Sequence, residues 1–195
     1  MKVLLLGPRR DKFLDFLIHA GELVTVIETA LDKEEHFDWR GFDFVISFGY
    51  RFVLDKLFIE HYKNRAVNLH ISLLPWNRGA DPNLWSFLEN TPKGVTIHFI
   101  DEGLDTGAII IQKEVFFDSR VETLNSSYLS LCDALETLFF ECWHDIKHGI
   151  VKSVPQEGIG SYHRSDDKTK FLHLLTMGWD TPVSGLVGKA VNNSV

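Results

Sequence analysis

Through His70, short apolar runs alternate with helical segments, and no other feature constrains the fold of this chain as tightly. Residues 3–6 form an unbroken apolar run that stops at Gly7-Pro8, the pattern of a strand covered on both faces. Residues 13–20 carry helical spacing and meet a stop signal in Gly21. Residues 23–27 and 43–48 read as two further strands, 54–62 as a short helix, and 66–70 as a fourth strand. Strands separated by helices at this spacing predict an α/β domain with a mainly parallel sheet. In such sheets ligands gather beyond the carboxyl ends of the strands.

The second half of the chain changes rhythm. Asp81-Pro82-Asn83 opens a helix, with Asp81 as its cap and Pro82 at its first position. Residues 94–100 and 108–117 read as strands, and the turn between them is too short for anything but an antiparallel pair. A long helix is predicted over 122–148. Leu124, Tyr128, Leu131, Leu135, Leu138, Phe139, Trp143 and Ile146 recur on one face of it, which is assigned to the core. After Gly149 a hairpin, a polar stretch at 165–170 and a last helix from Asp180-Thr181-Pro182 are expected. The division predicted is a catalytic domain over 1–154 with a short C-terminal extension, 155–195, packed on it.

Charge narrows the partners. The chain of 195 residues carries 20 Lys and Arg against 27 Asp and Glu, a net charge of −7, with no long basic run. That excludes a nucleic-acid-wrapping surface and leaves room only for a local phosphate site built from a few arginines. Cys132 and Cys142 are read as buried thiols of a reducing compartment. No CxxC, HExxH or finger-like spacing points to a metal. The amino-terminal apolar run is too short for a signal peptide, and no run of about 18 apolar residues suits a membrane span. A cytoplasmic protein that neither enters nor crosses a membrane is expected.

Three polar side chains stand out against this frame. Asn68 and His70 are two apart in a strand, so both leave the same face. Asp105 lies in the turn Asp101-Glu102-Gly103-Leu104-Asp105-Thr106-Gly107, just after another strand. An amide, an imidazole and a carboxylate brought into one pocket suit acyl transfer, as oxyanion donor, general base and charge orienter. His98 is read as a buried, hydrogen-bonded histidine that positions the following loop. Arg9 and Arg10 follow the first strand and are read either as a solvated loop or as a phosphate clamp. Trp76, Asn77 and Arg78 follow Pro75, where a Trp and an Arg can stack on and pair with a substrate or pack locally. Gly7-Pro8-Arg9-Arg10 is neither GxGxxG nor a P-loop, and GxSxG is absent.

The run Val67-Asn68-Leu69-His70-Ile71-Ser72-Leu73-Leu74-Pro75, with residues 94–107 behind it, resembles the formyltransferase family that uses 10-formyltetrahydrofolate. Ile71 stands where many members have proline. The resemblance implies a Rossmann-like formyltransferase fold: a mainly parallel sheet with an antiparallel extension, flanking helices and a short C-terminal tail. It implies that Asn68, His70 and Asp105 match the catalytic trio. The pterin would lie against Phe48, Tyr50, Arg51, Phe52 and Val53 and against Ile100, Asp101 and Glu102, held partly by main-chain groups. No metal is implied. The tail is too short for a methionyl-tRNA formyltransferase, the first loop is unlike a glycinamide ribonucleotide enzyme, and no regulatory domain precedes the first strand. Residues 75–82, with 91–96, look closest to two groups, the formylation domain of peptide synthetases and small sugar N-formyltransferases, and of these the resemblance favours as acceptor the amine of a nucleotide-linked amino-deoxysugar. Arg9, Arg10 and Arg78 are the candidates for its diphosphate, and Trp76 and Asn77 for neighbouring contacts. Formylation of an aminoacyl carrier or another small amine, or hydrolysis of the formyl-folate, are the alternatives. A homodimer is left open.

Overall fold

The computed structural model describes residues 1–31 and 37–191. In chain order the elements are β1 (Lys2–Leu6), α1 (Asp11–His19), β2 (Leu23–Ile27), β3 (Phe44–Phe48), α2 (Lys56–His61), β4 (Ala66–His70), β5 (Arg78–Gly79), α3 (Pro82–Leu88), β6 (Gly94–Phe99), β7 (Ile109–Glu114), α4 (Leu124–Lys147) and β8 (Tyr162–His163). Six strands form one sheet in the order β2-β1-β3-β4-β6-β7. The pairs β1–β2, β1–β3 and β3–β4 are parallel. This is the α/β architecture expected from the alternation of strands and helices.

The antiparallel part is larger than expected. Besides the β6–β7 hairpin, β6 runs antiparallel to β4: the Ile100 N–H donates to the Ala66 carbonyl. Counting inwards from that pair sets Asn68 opposite His98. At the hairpin, Phe99 N–H donates to Ala108 O and Val115 N–H to Lys93 O.

The chain divides into two compact units. The first comprises Met1–His70, Ile97–Ile110 and Leu138–Pro155. In it, Leu4, Leu6, Val45, Phe58, Tyr62 and Ala66 form a buried cluster beneath the parallel strands. Helices α1 and α4 meet through aromatic rings, Phe13 on Phe139 at 4.8 Å and Phe16 stacked on Phe140 at 4.1 Å. The second unit comprises Ile71–Thr96, Ile111–Thr137 and Gln156–Val195. Its core joins Leu84, Trp85, Phe87 and Leu88 of α3 to Leu124, Phe171, Val183 and Leu186.

Several local expectations are corrected. Asp81 sits at the N-cap position of α3 but at φ +53, and its carboxylate reaches Lys168 Nζ at 2.8 Å instead of capping the helix. An ion pair with a residue distant in sequence takes the place of the local cap. Among the described residues the tail shows no hairpin; β8 pairs in parallel with β5 instead. The helix expected from Asp180 is a single 3-10 turn at Val183–Gly185, and the polar stretch lies in and beside the 3-10 segment Asp167–Leu174. On α4, Tyr128 is 37% exposed while the other seven residues of the face are buried. Cys132 is buried but Cys142 only partly so. No helix among the described residues is long and apolar enough to cross a membrane.

Glu22 anchors the foot of the first unit. Its buried carboxylate accepts from Lys147 Nζ at 2.7 Å, Trp143 Nε1 at 3.2 Å and the Met1 amino group at 2.8 Å. Burial pushes this carboxyl up, but Lys147, the amino group and Trp143 together outweigh it and hold it below the ordinary glutamate value. A depressed folded-state value stabilises the protein above the ordinary glutamate pKa, and that stability is lost as pH falls through the folded value. Glu22→Gln is therefore expected to cost about 3 kcal/mol at neutral pH. The gap from wild type should close below about pH 4. Denaturant unfolding of both proteins across pH checks this, and a gap that does not change with pH would contradict it.

Candidate active site

Strand β4 supplies Asn68 and His70 on one face, and β6 supplies His98 opposite Asn68. Residues 100–108 then fold back so that Asp105 meets all three side chains. Asn68 Nδ2 donates to Asp105 Oδ1 at 2.8 Å. His70 Nδ1 lies 3.6 Å from Asp105 Oδ2, and His98 Nε2 lies 3.6 Å from Asp105 Oδ1. His98 Nε2 is also 3.2 Å from Asn68 Nδ2, and His98 Nδ1 is 2.8 Å from the Phe99 carbonyl oxygen. His70 and His98 are 6% and 2% exposed, so these contacts act in a medium far less polar than water.

The loop that carries Asp105 is held from within. Asp101 Oδ1 accepts from Gly103 N at 3.1 Å and Thr106 Oγ1 at 2.7 Å, which closes a side-chain-capped turn. Asp105 itself has φ +55, a left-handed conformation that aspartate tolerates better than most residues. Gly107 is required by close approach: a Cβ there would stand 1.8 Å from the Phe99 carbonyl oxygen. Lys56 Nζ pairs with Glu102 Oε1 at 3.2 Å and so ties the same loop to the start of α2. By accepting from Lys56 Nζ, the Glu102 carboxylate also holds that ammonium above its usual range.

The trio Asn68, His70 and Asp105 thus comes together as the motif spacing implied. Asn68 Nδ2 donates one hydrogen to Asp105 Oδ1 and lies within hydrogen-bond distance of His98 Nε2 as well. His98 joins the cluster and was assigned only a loop-positioning role from sequence. Its part becomes visible once β4 and β6 are known to be antiparallel.

The other candidates separate into placed and misplaced. Phe48 is buried, with the Arg10 guanidinium 3.9 Å above its ring, so it offers a ligand little more than its main chain. Tyr50 donates to the Thr29 carbonyl at 2.9 Å and packs on Phe52 at 5.3 Å. Arg51, Phe52 and Val53 are exposed, as is Leu104 in the Asp105 loop, and Ile100 is half-buried against the apolar core. Asp101 and Glu102 are used by the loop, as above. Arg9 is exposed and paired with Asp11 at 2.8 Å, whereas Arg10 is the half-buried arginine of the two.

In the second unit Trp76 is 37% exposed. Arg78 donates Nε to Gln156 Oε1 at 3.0 Å and pairs through its backbone with the tail. Asn77 is corrected as a substrate contact. It is fully buried at φ +57, donates to Thr91 Oγ1 at 2.9 Å and accepts from Ser161 Oγ at 3.2 Å. A side chain with no accessible surface has no face to offer a ligand. Among the described residues no group of three or more His, Cys, Asp or Glu side chains is placed to hold a metal ion.

An α/β fold that sets an amide and an imidazole beside one carboxylate has a site suited to acyl transfer. The chain belongs to the formyl transferase family, whose model matches residues 27–137. It superimposes over 97% of its length on the whole of the formyltransferase PseJ from Anoxybacillus kamchatkensis, with a TM-score of 0.93 and 52% identity. That structure is a complex with UDP-4,6-dideoxy-4-formamido-L-AltNAc and tetrahydrofolate. A methionyl-tRNA formyltransferase of Thermodesulfovibrio yellowstonii is 40% identical over 123 residues, 62% of this chain and 39% of its own length. A dTDP-4-amino-4,6-dideoxyglucose formyltransferase of Mycobacterium bovis is 35% identical over 119 residues, 60% of this chain and 50% of its own length. The chain therefore spans about two fifths to one half of these curated relatives.

Gly107→Ala tests how far the site depends on its loop. The new methyl group collides with main chain, which cannot rotate away, so stability is expected to fall by about 1–3 kcal/mol. Turnover, measured at a temperature where the variant is folded, is expected to fall with it because Asp105 is displaced. A variant with wild-type turnover would separate the hairpin from the chemistry.

Proposed function

We propose that this chain transfers the formyl group of 10-formyltetrahydrofolate to the amine of a UDP-linked 4-amino-4,6-dideoxysugar. The observation that carries the reading is the likeness to PseJ along the full length of both chains. The two molecules bound there are a formamido sugar and tetrahydrofolate. They are the products that such a transfer leaves behind. The contacts of Asn68, His70 and Asp105 supply the chemistry that the reading needs.

The formyl-folate supplies an acyl carbon already activated for attack. The amine nitrogen bonds to that carbon, the bond from carbon to the folate nitrogen breaks, and a proton lost by the amine ends on that nitrogen. His70 turns Nδ1 towards Asp105, which makes Nε2 the nitrogen that meets the reacting groups. In its protonated form His70 donates to the oxyanion that develops on the formyl oxygen. Asp105 supports the imidazolium charge from the opposite side. Asn68 lies beside both and completes the trio. The exposed segment from Arg51 to Val53 and the loop from Ile100 to Asp105 receive the pterin, and Arg10 is the better placed of the two arginines to meet a phosphate.

Incubation with 10-formyltetrahydrofolate and a panel of amines tests the reading. The panel holds UDP- and dTDP-amino-deoxysugars, glycinamide ribonucleotide and an aminoacyl carrier. Turnover is expected with a UDP-4-amino-4,6-dideoxysugar, and turnover confined to another amine would contradict the acceptor. His70→Ala and Asp105→Ala should each lower kcat by about a hundredfold or more while circular dichroism stays unchanged. Wild-type kcat in either folded variant would remove the assignment of the trio.

A further inference from the structure

The hydrogen-bond pattern around Asn68 is more constrained than its distances alone suggest. The Phe99 carbonyl oxygen, 2.8 Å from His98 Nδ1, can only accept, so Nδ1 carries a proton. In the neutral ring Nε2 then presents a lone pair. That lone pair faces Asn68 Nδ2 at 3.2 Å, and Asp105 Oδ1 faces the same nitrogen at 2.8 Å. The two hydrogens of Nδ2 match these two acceptors. Turning the amide over would set its oxygen against a carboxylate oxygen at hydrogen-bond distance, acceptor on acceptor. Asn68 Oδ1, by contrast, accepts from none of the described residues, and the residue is only half-buried.

We infer that His98 is a positioning residue: through its Nδ1–H tautomer it holds the Asn68 amide with both N–H groups turned inwards and Oδ1 left to accept a hydrogen from the incoming amine. This rests on the formyl-transfer reading for the identity of the nucleophile, and on geometry alone for the amide orientation. An amine that donates one N–H to Asn68 Oδ1 has its lone pair aimed by that contact, and aim of this kind is worth a large factor in rate. Gly107 takes part, because its missing Cβ lets the hairpin close on Phe99 and would otherwise stand 3.4 Å from His98 Nδ1. The neighbours that could compete for His98 are the carboxylate of Asp105, 3.6 Å from Nε2, and the ring of His70, 6.4 Å away between centroids.

Two measurements test the inference. Long-range proton–nitrogen NMR on isotope-labelled wild-type protein should show His98 protonated at Nδ1 and unprotonated at Nε2, and the opposite tautomer would overturn the inference. His98→Phe, which keeps the ring volume and removes both nitrogens, should lower kcat for the amine on the order of tenfold or more, with the KM for the formyl-folate unchanged. His98→Gln returns an acceptor to Asn68 and should recover most of that loss. Wild-type kcat in His98→Phe, or no recovery in His98→Gln, would overturn the inference. The tautomer measurement needs no substrate and no variant. Failure of the formyl-transfer reading shows instead as absent turnover in the wild type.

Discussion

The carboxylate of Asp105 is the point on which the site depends. One oxygen takes the Asn68 amide at 2.8 Å and faces His98 at 3.6 Å, while the other faces His70 at 3.6 Å. A single half-buried carboxylate thereby faces three neighbours carried by two strands. In a low-dielectric setting such a network is stiff when every donor has an acceptor and costly when one is left without. The positive φ of Asp105 belongs to the same arrangement: the loop is held in a sparsely populated conformation so that the carboxylate can reach inwards.

The strand pairing makes this reach possible. A purely parallel sheet would put the loop after β6 at the same edge as the end of β4. Antiparallel pairing instead sets Asn68 against His98 inside the sheet, and the hairpin loop must return across them. Each device in the loop serves that return. Asp101 closes the turn, Gly107 permits the tight approach to Phe99, and the Lys56–Glu102 pair ties it to α2. An exposed pair of this kind adds little to stability by itself. Its effect is on where the loop rests.

Much of this was legible in the residues. The strands of the parallel half announce themselves as short apolar runs with glycine stops, and β2 and β4 have the bounds predicted for them. The spacing of Asn68 and His70 placed both on one face without any structure. The parts that were not legible depend on partners distant in sequence. Asn77 reads as a polar loop residue until Thr91 and Ser161 are seen to enclose it. Asp81 has every local mark of a helix cap, and Lys168, far along the chain, takes its carboxylate. The tail carries too little apolar periodicity to announce β8, which exists because β5 offers it an edge. His98 looked structural because its strand alternates in the ordinary way, and only the pairing with β4 shows what its ring touches.

The proposed activity requires that this site deliver a formyl group to an amine and not to water. The most direct test follows the fate of a carbon-13-labelled formyl group in 10-formyltetrahydrofolate by NMR, with the protein and a UDP-4-amino-4,6-dideoxysugar present. A new formamide resonance is expected to grow in step with tetrahydrofolate, with no label in formate. Label that collects in formate at the same rate with or without the amine would contradict it.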